Sequence, residues 1–230
     1  MIADIHIAPS VFEKFSDYAA VVLAVQGVQG GASNDYSEQH LQHAEATTRD
    51  LLATTPLDEL PEVKTWRAAF ESFGVKPRVA RSSFEALMRR AEKGLPRIDL
   101  LTDIYNAVSV LHRIPIGGEN LDAYVGSARL TLADGTETFD TRENGETVVQ
   151  HPEPGEVVWR DDVGVTCRRW NWRQCVRTRL DENTTSILFI LDGLGPEARK
   201  IATQAADHLQ AELVKCWPGA EIQSRFISAR

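Results

Sequence analysis

The nine residues from Cys167 to Cys175 read CRRWNWRQC and are the richest stretch of the chain in side chains that recognise anions and aromatic rings. Arginine offers planar, bidentate donors for phosphate or carboxylate, and tryptophan gives a flat surface on which a nucleobase can stack. The combination suits the end of a nucleic acid. It suits the protein interior as well, with the tryptophans filling the core and the arginines neutralising acids such as Asp161, Asp162 and Asp181. Composition leaves both interpretations open.

If this stretch is an extended strand, alternate side chains share a face. One face then carries Cys167, Arg169, Asn171, Arg173 and Cys175, and the other carries Arg168, Trp170, Trp172 and Gln174. Neither set is uniformly apolar, so a half-buried strand with one apolar side explains the pattern poorly. The stretch from Gly164 to Leu180 has five arginines and no acidic residue, which is compatible with a local anion site.

The whole chain has the opposite balance, with 33 acidic and 25 basic residues in 230 and a formal charge of -8. Such a field repels a polyanion, which disfavours a nonspecific coat for nucleic acid. The three cysteines are odd in number and lack metal-ligand spacing, no signal-peptide pattern is present, and no apolar run approaches the roughly 20 residues of a membrane span. We therefore expect a cytoplasmic protein that is not embedded in a membrane.

Familiar catalytic signatures are absent from the sequence: it has no P-loop, dinucleotide fingerprint, nucleophile elbow or zinc-protease motif. His40 and His43 could share a metal ion on one helix, but no third ligand is evident, and surface histidines are the favoured interpretation. We expect no metal and no cofactor.

Hydrophobic periodicity predicts a single α+β domain over residues 1–230. The run AAVVLAVQ is typical of a buried strand, short strands fill the middle of the chain, and EIQSRFIS suggests a last edge strand. Helices are predicted over residues 37–53, 62–73, 82–94 and 196–216, the third with a capping box between Ser82 and Glu85.

A further helix is predicted by IDLLTDIYNAVSVL, which has one apolar stripe and one polar stripe. The polar stripe contains Asp103 and Asn106. It is either a solvated outer face, the favoured interpretation, or the wall of a cleft. Gly117 and Gly118 follow this helix and permit a close backbone approach.

Several segments together resemble a known family: WRAAFESFGVKPRVARSSFEALMRR, LPRIDLLTDIYNAVSVLHRIPIGGENLD, PEPGEVVWRDD and CRRWNWRQCVRT. From about Trp66 to Leu191 they are similar to freestanding relatives of the tRNA-binding and editing domain of the phenylalanyl-tRNA synthetase beta subunit. The resemblance implies a layered fold, with mixed β-sheets in a sandwich-like core and helices packed outside. It also implies hydrolysis in trans of wrongly aminoacylated tRNA, recognised at its acceptor end. A noncatalytic module that binds RNA or an amino acid is the alternative.

The resemblance also suggests site residues. Asn106 matches an asparagine of the family pocket and would orient water or the substrate amine. Gly117 stands where the embedded domains have the histidine of a Gln-Pro-Met-His sequence, and the N–H groups of Gly117 and Gly118 would face the ester carbonyl. Asp103 would pair with the α-ammonium, and Glu156 would act as general base. The remaining expected contacts are with phosphates, ribose, adenine or the amino-acid side chain, and they come from Arg168, Arg169, Trp170, Asn171, Trp172 and Arg173.

Overall fold

The computed structural model describes residues 2–229. Within that range the helices are α1 (Pro9–Lys14), α2 (Asp35–Thr54), α3 (Pro61–Ser72), α4 (Ser83–Met88), α5 (Leu100–His112) and α6 (Ala198–Cys216). The strands are β1 (His6–Ile7), β2 (Ala19–Gln26), β3 (Ile116–Asn120), β4 (Arg129–Leu132), β5 (Phe139–Glu143), β6 (Glu146–Gln150), β7 (Val157–Arg160), β8 (Val165–Arg168), β9 (Arg173–Gln174), β10 (Ser186–Gly193) and β11 (Glu221–Ser228). Short 3-10 helices span Ile2–Asp4, Leu57–Glu59 and Leu121–Ala123. None of the helices in residues 2–229 is both long enough and apolar enough to cross a membrane.

The strands form two main sheets. The four-stranded sheet has the antiparallel order β11-β2-β10-β3, and the five-stranded sheet has the order β1-β4-β7-β8-β9. The second sheet is mixed, because β1 pairs with β4 in parallel whereas the other pairs are antiparallel. The hairpin β5–β6 forms a separate two-stranded sheet.

Alternating side chains give the four-stranded sheet two apolar faces. Ala20, Val22 and Leu188 share one core with Leu130 and Trp159 of the five-stranded sheet. The neighbouring residues of β2 and β10, such as Val21 and Phe189, pack instead with residues of α5 and α6. Burial on both sides of the sheet explains why residues 19–25 of β2 and 187–191 of β10 are all apolar. The predicted α+β class, with sheets forming a sandwich-like core, is confirmed.

The helix predicted from Ser82 to Gly94 is shorter than expected, because α4 ends at Met88 and turns follow. Ser82 makes no side-chain capping hydrogen bond. Glu85 is buried and accepts hydrogen bonds from Arg67 and Arg89, so its carboxylate is not available to complete a capping box.

The stretch from Cys167 to Cys175 is not one continuous strand, so the alternation of faces considered above does not apply to it. Strand β8 ends at Arg168, the chain turns, and β9 returns beside it, with Cys167 paired with Gln174. Arg169 and Trp170 have positive φ angles of 47° and 66°, which place both in the left-handed region. That conformation is costly for residues other than glycine, so the surrounding packing must hold the turn in place.

Candidate functional site

A cavity of about 150 Å³ lies beside this hairpin, between the two sheets. Strands β3 and β10 contribute from one sheet, β7 and β8 from the other, and α5 and the hairpin turn complete the wall. The lining residues are Ser83, Tyr105, Asn106, Ile116, Gly117, Glu119, Trp159, Cys167, Trp170, Asn171, Trp172, Arg173, Gln174, Ile190 and Asp192. Helix α5 and the arginine and tryptophan segment therefore share one hollow.

Asn106 lines this cavity from α5. Asn106 is buried, and its side-chain amide makes no hydrogen bond within residues 2–229. The favoured interpretation of the polar stripe as a solvated face is wrong, because Asp103, Asn106 and Ser109 are all buried. At Asn106 the stripe forms a cleft wall.

Asp103 lies elsewhere. Its carboxylate accepts hydrogen bonds from the hydroxyl groups of Ser33 at 2.6 Å and Ser37 at 3.1 Å, and from the Ile98 N–H at 2.8 Å. These contacts join α5 to the start of α2, and Asp103 does not line the cavity. The expected role in binding an α-ammonium is corrected, because this carboxylate is buried and already supplied with donors.

Gly117 and Gly118 have different surroundings. A Cβ on Gly117 would approach only the Gln174 side chain, at 3.4 Å, whereas a Cβ on Gly118 would lie 3.0 to 3.2 Å from Phe189, Leu180 and Tyr105. Gly117 therefore faces the cavity, and Gly118 faces the packed side of the sheet. The Gly118 carbonyl accepts a hydrogen bond from Gln174 Nε2 at 2.9 Å.

The direction of the β3 hydrogen bonds alternates along the strand. The Pro115 carbonyl accepts from the Asp192 N–H in β10, and the Asn120 N–H points the other way, to Thr178. Gly117 has the same parity as Pro115, so its N–H faces β10 and cannot also face a substrate carbonyl. This corrects the expectation that both glycine N–H groups serve an ester.

Glu156 is also excluded from the cavity. It is buried and accepts hydrogen bonds from Arg168 Nε at 2.9 Å, Arg168 Nη2 at 2.7 Å and the Arg169 N–H at 3.0 Å. The predicted general-base role is corrected, because this carboxylate is held by arginines outside the lining. Arg168 is buried as well, so the expected contact between Arg168 and a phosphate is corrected with it.

Trp170 is a core residue whose edge reaches the cavity. It is fully buried, and its ring meets Phe15, Tyr18 and Trp66 in edge-on contacts with centroid separations of 4.7, 4.8 and 5.1 Å. The interpretation of this tryptophan as a core residue is therefore confirmed. The Trp170 indole N–H interacts with the Tyr18 hydroxyl.

At the mouth of the cavity, two guanidinium groups stack on the Trp172 ring. Those of Arg169 and Arg173 lie 4.3 and 4.4 Å from its ring centroid. Arg173 is exposed and makes no ion pair within residues 2–229, whereas the Arg169 side chain is mostly buried and lies 3.8 Å from the Glu156 carboxylate, and burial lowers the pKa of Arg169. The rim is thus a stacked, positively charged surface. Arg177, by contrast, is paired with Asp161 at 2.9 Å, as the structural interpretation of the arginines predicts.

Two acidic residues that the sequence analysis missed, Glu119 and Asp192, line the cavity. Each is only 2% exposed. Burial raises the pKa of Glu119 and raises that of Asp192 to about 7. The lone acid in the apolar run ILFILDG was the available signal for Asp192.

The described histidines lie outside the cavity lining, and the cysteines do not supply an activated thiol. His40 bonds to Glu212 at 2.8 Å and His112 to His208 at 2.9 Å, and residues 2–229 contain no group of three or more side chains placed to hold a metal ion. Cys167 lines the cavity, but burial raises its thiol pKa, which disfavours a nucleophilic thiolate.

Comparisons with known proteins identify a family and similar solved structures. The family model described as the B3/4 domain matches residues 65–211, a range that contains the stretch from Trp66 to Leu191 discussed above. A crystal structure of an N-terminal fragment of the phenylalanyl-tRNA synthetase beta subunit from Pyrococcus horikoshii is similar, with 10% identity and a TM-score of 0.43. That similarity covers 98% of this chain and 54% of the fragment, so the chain spans about half of the fragment's length. No curated protein sequence matches the chain significantly.

Proposed function

Because the chain belongs to the B3/4 domain family, and is thus a module related to a tRNA synthetase, we propose that it binds tRNA and hydrolyses misacylated aminoacyl-tRNA in trans. The observation that carries the proposal is that Asn106 and the segment containing Asn171, Trp172 and Arg173 line the same cavity. Editing of this kind is useful because binding alone discriminates weakly between amino acids of similar shape.

The charges of the site suit the end of an aminoacylated tRNA. The exposed Arg173, stacked on Trp172, offers positive charge to a phosphate at the rim. Guanidinium planes can also stack on an unpaired base. The interior carries the carboxyl groups of Glu119 and Asp192, which offer no positive charge to a phosphate. The polynucleotide therefore stays outside, and only the aminoacyl group enters.

An aminoacyl ester is already reactive, so its hydrolysis needs a positioned water and donors for the developing oxyanion more than a strong nucleophile. The free amide of Asn106 is placed to orient the water. The indole N–H groups of Trp159 and Trp170 belong to lining residues and interact with the Asp192 carboxylate and the Tyr18 hydroxyl, so they support that carboxylate and its donor rather than the ester carbonyl. Gly117 has no side chain and therefore leaves room in the cavity for the aminoacyl group.

The test is release of radiolabelled amino acid from a panel of misacylated tRNAs by the unmodified protein. We expect release above the spontaneous rate for at least one member of the panel, and loss of that release in Asn106→Ala. Asn183→Ala changes an exposed residue far along the chain and is the matched control. Release that is equal in Asn106→Ala and the control contradicts a role for Asn106 in the reaction.

A noncatalytic module that holds tRNA or an amino acid is the second candidate. The observation in its favour is that the described lining contains no histidine and that Glu156 is bound to arginines. Binding of tRNA without release of amino acid from any member of the panel would support this module over the hydrolase.

A further inference from the structure

The cavity contains two buried carboxyl groups, those of Asp192 and Glu119, that have no directly bound cationic side chain. Neither Asp192 nor Glu119 makes an ion pair within residues 2–229. Glu156 and Asp161 are buried carboxylates that do have such partners, Arg168 and Arg177, whereas the buried Asp103 has only neutral donors. An unpaired buried carboxylate is costly, so the two in the cavity invite a cation from outside the chain.

Asp192 is the better placed of the two. The Tyr18 hydroxyl donates to Asp192 Oδ1 at 2.6 Å, and the Asn171 amide donates to Asp192 Oδ2 over a long 3.4 Å. Asn171 also lines the cavity, is only 8% exposed, and has an Oδ1 atom without a partner in the described part of the chain. Two neighbouring residues thus offer acceptors for an incoming donor.

Glu119 is better supplied with neutral donors. Its Oε2 accepts from the Tyr124 hydroxyl at 2.6 Å and from the Thr178 hydroxyl at 2.8 Å. These bonds hold the Glu119 side chain toward the hydroxyl groups. Asp192 is therefore the carboxyl group available to contact a ligand directly, and Glu119 acts on that ligand only from a longer distance.

We propose that Asp192 and the Asn171 Oδ1 bind the α-ammonium group of the aminoacyl substrate, so that the site accepts amino acids with a free amine and rejects N-acylated ones. This inference rests on the proposed function and deepens it, since it names the chemical class that the cavity takes. An N-acyl group would remove the positive charge and add bulk where the cavity has about 150 Å³.

The titration of Asp192 agrees with this geometry. Burial raises its pKa to about 7, while Glu119 on β3 adds negative charge and the Tyr18 hydroxyl stabilises the ionised form. Cys167 on β8 also faces the carboxylate, and the Arg173 guanidinium lies at the mouth of the cavity. An ammonium ion favours the ionised carboxylate, so its binding should weaken as the pH falls below about 7.

The decisive comparison uses one misacylated tRNA that the protein hydrolyses and the same tRNA with its amino group acetylated. We expect unmodified protein to show a kcat/KM at least about 30-fold higher for the free-amine substrate, as for loss of one partner of a buried charge pair. Asp192→Asn should lower kcat/KM for the free amine by a similar factor and leave the acetylated substrate within about twofold. Asp50→Asn, an exposed carboxylate of α2, is the matched control.

The outcomes separate the alternatives. If Asp192→Asn slows both substrates equally, or if unmodified protein does not distinguish them, the ammonium assignment is wrong. If neither substrate is hydrolysed, the proposed function fails instead, and calorimetry on unmodified protein at pH 7.5 still tests the inference. Amino-acid amides should then bind and their N-acetyl counterparts should not, and equal binding or binding of neither overturns the assignment. The calorimetric measurement needs no variant, so it does not depend on how Asp192→Asn folds.

Discussion

Arg168 and Glu156 form a buried ion pair through two parallel hydrogen bonds, Nε to Oε1 at 2.9 Å and Nη2 to Oε2 at 2.7 Å. The same carboxylate accepts the Arg169 N–H, so it also fixes the backbone at the first left-handed residue of the hairpin turn. The pair thus supports the turn that carries Trp170, Asn171 and Trp172 to the cavity.

Removing Arg168 should therefore destabilise the fold. Arg168→Ala leaves a buried carboxylate uncompensated, and we expect the free energy of unfolding to fall by about 3–5 kcal/mol. Chemical denaturation measures this loss, with the exposed Arg142→Ala as control. Replacing both partners, as Arg168→Met with Glu156→Leu, should recover only part of the stability, because the Arg169 N–H then loses its acceptor. A loss below about 1 kcal/mol in the single variant contradicts the structural role.

Arg173 should instead affect nucleic-acid binding. The side chain is exposed and stacked on Trp172, so Arg173→Ala should weaken tRNA binding and flatten the slope of log K against log salt by about one unit. Salt titrations of Arg173→Ala and Arg142→Ala measure the two slopes, and stability should be unchanged in both. A slope equal to that of unmodified protein removes Arg173 from the interface.

Asn106 should affect turnover and not folding. Its amide has no protein partner, and alanine is the better helix former, so Asn106→Ala should change the free energy of unfolding by no more than about 1 kcal/mol. Hydrolysis should slow by about 10- to 100-fold if the amide positions the water. Single-turnover deacylation and thermal unfolding of the same preparations test both statements. Parallel losses in rate and stability would identify Asn106 as structural.

Gly117 and Gly118 should respond differently to alanine. Gly118→Ala places a methyl group 3.0 to 3.2 Å from Phe189, Leu180 and Tyr105, so we expect about 1–3 kcal/mol of destabilisation. Gly117→Ala meets only the flexible end of Gln174, so stability should be nearly unchanged while the cavity narrows. Each variant is the control for the other in unfolding and substrate-binding measurements, and equal destabilisation contradicts the assigned faces.

Asp192 should make stability depend on pH. Its pKa is about 7 in the folded chain against an ordinary value of 3.8, so between these values the native state binds the extra proton. The free energy of unfolding should then fall as the pH rises from about 4 to about 7, by up to about 1.4 kcal/mol per pH unit from this group. Asp192→Asn should lose that part of the slope. Identical pH profiles for variant and unmodified protein contradict the assignment.

The sequence predicts the regular elements well because they are long and strongly patterned. The runs that become β2 and β10 are apolar on both faces, and α5 has an uninterrupted apolar stripe. The periodicity of α5 places Asp103 and Asn106 on one side, but it cannot tell which neighbours lie opposite. Asp103 contacts helix α2, whereas Asn106 adjoins the cavity. Both neighbours are determined by tertiary packing.

The hairpin could not be found in the same way. A tight turn is usually marked by glycine or asparagine where φ is positive, but here those positions are Arg169 and Trp170. Packing of Trp170 against Phe15, Tyr18 and Trp66 stabilises the turn, and those residues come from distant parts of the chain. Asp192 could not be identified as a site residue for a related reason. An acid followed by glycine at the end of an apolar run resembles an ordinary turn signal.

Strand β2 lies between β11 and β10 in its sheet, yet its residues precede the range that the family model matches. A fragment trimmed to residues 65–211 would lack β2 and also Tyr18, the donor to Asp192. It would leave β10 with a long apolar edge, and such edges recruit strands from other molecules. Recombinant expression of the trimmed fragment should therefore give aggregates, and any transplant of this site into another scaffold must carry the first strand of the sheet with it.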